Sequence, residues 1–120
     1  MMNTQFEEVT VDRAKEIINS DRFVNIIWFN EVCPTCQHMM PILEKVKEQV
    51  PEFTFAAIKI KETDKLYFEP NSFPASYFFK DGDRISMIFG AGVESEVIQF
   101  HKDIVNGGIK TEQEQLDLLD

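Results

Sequence analysis

The chain's only two cysteines stand in Cys33-Pro34-Thr35-Cys36, where a strand-like apolar run, Phe23-Val24-Asn25-Ile26-Ile27-Trp28-Phe29, gives way to a helix-like pattern. The run is nearly continuously apolar, which suits a strand covered on both faces at the centre of a sheet, and it delivers the chain to the cysteines. Two residues between the thiols, with the second cysteine in a first helical turn, let the sulfurs form a disulfide without unfolding anything. A cysteine at a helix N-terminus also meets the positive end of the helix dipole, which stabilises a thiolate. Cys33 is therefore the expected nucleophile and Cys36 the resolving thiol, and redox chemistry is the leading expectation.

Other uses of the pair fit less well. A bridge over so short a loop removes little chain entropy and makes a poor staple. A closed zinc site needs four ligands, and His38 and His101 are far apart in sequence and in different elements. An iron–sulfur cluster shared between two chains is left open, with nothing arguing for it.

With 120 residues, 43% of them hydrophobic and 12% aromatic, the chain has enough apolar material for one ordinary domain. A formal net charge of −9 opposes binding to a phosphate backbone, so no nucleic-acid partner is expected. Met1 to Glu8 shows no basic stretch followed by an apolar one, and no segment approaches a membrane span. The expectation is a cytoplasmic chain with no membrane partner. In such a compartment a CxxC without further cysteines reads as catalytic.

Apolar positions at Val11, Ala14, Ile17 and Ile18, with Thr10 as cap, predict a helix over Val11 to Asn19, and Phe6 to Val9 reads as a short strand before it. From Cys36 the residues Met39, Leu43, Val46 and Val50 recur at helical spacing, with Pro41 inside that helix as a source of a kink. Phe53 to Ile60 reads as a strand, Lys61 to Ser72 as a polar loop with at most one helical turn. Ala75 to Lys80 and Arg84 to Phe89 form a hairpin about Asp81-Gly82, and a last helix spans Glu94 to Val105 before Asn106-Gly107-Gly108. The order is β-α-β-α-β, then the hairpin, then α. Residues 1–108 read as one domain and 109–120 as an acidic C-terminal appendage, with no catalytic role assigned.

Three features together resemble the thioredoxin family over roughly Phe6 to Val105. They are the hydrophobic strand running into CxxC, the helix Cys36-Gln37-His38-Met39-Met40-Pro41-Ile42-Leu43 with its proline five residues after the second cysteine, and Phe73-Pro74-Ala75-Ser76-Tyr77-Phe78-Phe79-Lys80-Asp81-Gly82. The resemblance implies an α/β thioredoxin fold with a central mixed β-sheet flanked by helices. It implies a cis Pro74 packed against the disulfide, denying an N–H near the sulfurs and aiming the backbone of Phe73 at an incoming peptide. By the same analogy Val32, Thr35, Phe73, Phe89, Gly90 and Ala91 would rim an apolar groove for substrate cysteines.

Departures from the family bear on mechanism. Val32 stands where thioredoxins usually carry Trp, and Pro34-Thr35 where they carry Gly-Pro. Proline at the first intervening position is also seen in glutaredoxins and in periplasmic oxidants of this superfold. Ile27 takes the place of a buried aspartate, removing a proton acceptor for the resolving thiol and leaving Lys59 without that partner. Lys59 is expected to snorkel outward; the alternative is that it points at the thiols and lowers their pKa. The stretch between Lys59 and Pro74 is a few residues shorter than usual.

The resemblance thus implies a protein disulfide reductase with no bound cofactor beyond the redox-active disulfide Cys33–Cys36. Its partners would be disulfide-bearing proteins and a reductase such as thioredoxin reductase; no metal is expected. Two rivals stand beside it. A glutathione-linked glutaredoxin suits Pro34, but Gly90-Ala91-Gly92-Val93-Glu94 lacks the Gly-Gly-x-Asp of that family. A thioredoxin-like binding or scaffold subunit without redox turnover is the other.

Overall fold

The computed structural model describes residues 7–29, 34–59, 74–90 and 92–109. Its elements are β1 (Glu7–Glu8), α1 (Val11–Ser20), β2 (Phe23–Phe29), α2 (Pro34–Gln49), β3 (Phe53–Lys59), β4 (Ala75–Lys80), β5 (Asp83–Phe89) and α3 (Glu94–Val105). The strands form one five-stranded sheet in the order β1-β3-β2-β4-β5. β1, β3 and β2 run parallel, whereas β4 is antiparallel to β2 and β5 to β4. This is the mixed α/β architecture of the thioredoxin fold.

The centre of the sheet is where the apolar run put it, and all seven residues of β2 are buried. Successive side chains point to opposite faces, so the strand feeds two cores. Phe23, Ile27 and Phe29 join Cys36, Met39, Met40, Ile42, Leu43 and Val46 of α2 and Val97 and Ile104 of α3. Val24, Ile26 and Trp28 join Val11, Ala14, Ile17 and Ile18 of α1 on the other face. A strand wetted on neither side has no polar alternation to show, which explains its uniform sequence.

Local signals set the element ends. Thr10 Oγ1 accepts from the Arg13 N–H over 3.2 Å, capping α1 as expected. Asp81 (φ 52°) and Gly82 (φ 86°) both occupy the left-handed region, as a two-residue hairpin turn with the sheet's own twist requires. Helix α2 begins at Pro34, two residues before the periodicity of its apolar stripe does. Proline suits a first helical position, having no N–H to leave unpaired and a φ already set for the helix. Strand β5 likewise starts one residue early, because Asp83 pairs with Lys80 across the turn. The expected loop Lys61 to Ser72, the strand-end residues Phe6 and Ile60, and the appendage beyond Ile109 lie outside the described residues.

Candidate active site

Strand register brings Lys59 and Phe89, the expected site residues on described strands, to one end of the sheet. Trp28 near the end of β2 pairs with Ala75 at the start of β4, and Ala75 pairs with Phe89 at the end of β5. On the other side Phe29 pairs with Lys59, the last residue of β3. Pro74 directly precedes that row and Gly90 directly follows it, and the Gly90 N–H donates to the Pro74 carbonyl over 2.7 Å. Helix α2 starts just beyond this end of β2, so its first turn, and the positive end of its dipole, lie where the chain leaves the sheet.

Within that first turn Cys36 is fully buried and sits in the core cluster that also holds Ile27, while Pro34 and Thr35 are exposed. An inward-facing second cysteine suits a thiol shielded from external partners and available to a sulfur beside it. Cys33, which precedes the helix directly, lies outside the described residues, as do Val32, Phe73 and Ala91. Pro74 is buried; the isomer of its bond to Phe73 falls with Phe73. Lys59 is half-buried, and its alternation with Ala57 puts it on the α2 face of the sheet. His38 is exposed on α2.

Phe89 ends β5, directly before Gly90. Its side chain is 48% exposed, and Val93, just before α3, is 61% exposed. Phe89 rests edge-on against Tyr77, with ring centroids 6.4 Å apart. Phe89 and Gly90 thus set an exposed apolar side chain and a glycine next to the start of β4.

Two further residues escaped sequence reasoning. Val93 was passed over because a single apolar residue before a helix carries no pattern. Ser76, only 1% exposed, pairs with Ile27 and so shares its face beneath α2. The polar group nearest Ile27 along this pairing is therefore a hydroxyl on β4, since Ala57 flanks Ile27 on β3. A polar residue inside an apolar run was the available signal for it.

A family model described as Thioredoxin matches residues 5–103. A thioredoxin of Chlamydia pneumoniae is 32% identical over 85 residues, covering 62% of this chain and 83% of that protein. Thioredoxin-1 of Saccharomyces cerevisiae is 27% identical over 92 residues, covering 75% and 87%. Among solved structures, oxidised mitochondrial thioredoxin 3 of Saccharomyces cerevisiae superposes with a TM-score of 0.74 at 23% identity, covering 82% of this chain and 94% of that one.

Proposed function

The chain belongs to the thioredoxin family, and on that premise we propose that it reduces protein disulfides by dithiol exchange through Cys33 and Cys36. Its general kind, a thiol–disulfide oxidoreductase, comes with its thioredoxin relatives. The observation that carries the finer reading is the seat of Cys36: buried in the first turn of α2, at the sheet end where Pro74 meets Gly90.

In this mechanism the Cys33 thiolate attacks one sulfur of a substrate disulfide, forming a mixed disulfide and releasing the other sulfur as a thiolate, which takes a proton. Cys36, losing its proton, then attacks the Cys33 sulfur. The second substrate sulfur leaves as a thiolate and takes a proton, and the two electrons the substrate disulfide has gained are those the dithiol gave up in becoming the Cys33–Cys36 disulfide. An external dithiol or a reductase restores the starting state. The helix dipole favours the thiolate of the residue preceding α2, and burial keeps Cys36 for the intramolecular step.

The test is reduction of insulin disulfides with dithiothreitol as electron source. Wild type should accelerate it, Cys33→Ser should not, and Cys36→Ser should accumulate the mixed disulfide. Wild-type rates from Cys33→Ser would refute the assignment. A reduction potential for the pair near the ~−270 mV typical of thioredoxin would fit a reductase, and one near ~−120 mV an oxidant.

A further inference from the structure

Beneath α3 lie two polar side chains that the redox chemistry does not use, Asn25 of β2 and His101 of α3, both 0% exposed. His101 Nδ1 stands 2.7 Å from the Val97 carbonyl oxygen, which only accepts, so Nδ1 carries the ring proton. Nε2 is then an acceptor, and Asn25 Nδ2 donates to it over 3.1 Å. This orientation of the carboxamide is the one compatible with a neutral ring, since the reverse would set an oxygen lone pair against a nitrogen lone pair. It leaves Asn25 Oδ1 buried with no hydrogen-bond partner among the described residues. Aromatic rings wall the imidazole: Phe53 and Phe55 of β3 at 4.8 and 5.7 Å, Phe78 of β4 at 5.0 Å and Phe100 of α3 at 6.5 Å between centroids.

We propose that Asn25 and His101 form a proton-operated latch between the central strand and α3, in which a proton taken up at Nε2 turns the Asn25 carboxamide over so that Oδ1 accepts from the new Nε2–H. The donor and the partnerless oxygen belong to one planar group, and a half-turn about its Cβ–Cγ bond exchanges them without moving the backbone. Nδ1–H stays on Val97 throughout. One carboxamide atom lacks a partner in each state, Oδ1 before and Nδ2 after, so the two differ mainly by burial of the added charge.

That burial sets the working range. It pushes the His101 pKa down from 6.5 to about 4, with the Val97 carbonyl pulling the other way. Charged and titratable groups occur on the elements around the pocket. Lys80 shares the Phe78 face of β4, with Asp83 opposite it on β5; Lys59 and Cys36 lie toward the active end of the sheet. Glu44, Lys45, Lys47 and Glu48 belong to α2, and Lys102 and Asp103 follow His101 on α3. Burial and the Val97 carbonyl account for the shift without a contribution from these. Because α3 begins immediately after Gly92 and Val93, the latch ties the seat of the helix at the site's rim to acidity. The inference stands apart from the redox assignment.

Nitrogen-15 NMR on the whole chain tests it. At neutral pH the ring should be the Nδ1–H tautomer, with a scalar coupling between Asn25 Nδ2 and His101 Nε2 across the hydrogen bond. Acidification toward pH 4 should abolish the coupling as Nε2 gains its proton, while the backbone amide spectrum stays that of the folded chain. An Nε2–H tautomer at neutral pH, or loss of the fold before the ring titrates, overturns the proposal. In Asn25→Asp a permanent acceptor should lift the ring's titration above the ordinary 6.5. Should that variant not fold, Asn25→Leu decides: without an acceptor the ring should stay neutral throughout the folded range, and wild-type titration in it refutes the latch.

Discussion

The Gly90 N–H donates to the Pro74 carbonyl oxygen over 2.7 Å, tying the end of the edge strand to the start of its neighbour at the candidate active site. Gly90 makes this bond at φ 84°, in the left-handed region, with nothing within 4 Å of where a Cβ would stand. Substitution there meets conformational strain without a clash. Gly90→Ala should lose about 1 kcal/mol of stability and Gly90→Asn less, since asparagine tolerates this region better. Urea unfolding reads both. Equal midpoints for the two variants and wild type would mean that the positive φ is not required.

Phe89 precedes that glycine and is half-exposed on a strand that ends the sheet order among the described residues. A core phenylalanine cut to alanine loses ~3–5 kcal/mol, but a half-wetted one has much less burial to lose. Phe89→Ala should therefore cost about 1 kcal/mol. Its larger effect should fall on docking, raising KM for insulin several-fold with kcat little changed, and leaving a small aromatic disulfide unaffected. An equal rise for both substrates would argue against a role in gripping the peptide.

Ile27 pairs with Ala57 on one side and Ser76 on the other, and is fully buried in the core that holds Cys36. No carboxylate stands at this position to take the resolving thiol's proton, so attack by Cys36 should be slow. Ile27→Asp should shorten the lifetime of the mixed disulfide in rapid-quench experiments, its carboxylate taking the Cys36 proton, while costing ~2–4 kcal/mol of stability for the lost apolar packing and the burial of a polar group. Ile27→Asn supplies a similar polar cost without a titrating group. An unchanged lifetime in Ile27→Asp, or the same shortening in Ile27→Asn, would remove proton transfer from the explanation.

How much of this was readable without coordinates depends on the type of signal. β2, β4 and α3 were legible to the residue because apolar runs met clear stops, such as Asp81-Gly82 after β4 and Asn106-Gly107 after α3. The start of α2 was not, because Pro34 and Thr35 are exposed and add nothing to an apolar stripe. Asn25 and Ser76 sit in strands covered on both faces, where period-two alternation vanishes, so neither could be assigned a side. The CxxC motif and the two prolines, by contrast, were visible as chemistry before any packing was known.

The buried imidazole also predicts how stability follows pH. His101 has an ordinary pKa of 6.5 when unfolded and about 4 when folded, so the unfolded chain takes up a proton first as pH falls. Above pH 6.5 both states are neutral at this ring and it contributes no slope. Between 6.5 and about 4 the unfolded state is favoured progressively, and the contribution is lost as pH drops through the folded value, amounting to roughly 3 kcal/mol in all. Replacing both partners by leucine leaves neither a titrating ring nor a lone amide in the core, and such paired replacement is often nearly neutral at pH 7. Urea unfolding of wild type and Asn25→Leu/His101→Leu at pH 7, 6 and 5 should therefore show stability falling faster in wild type. Parallel curves would mean that some other group sets the acid sensitivity of the fold.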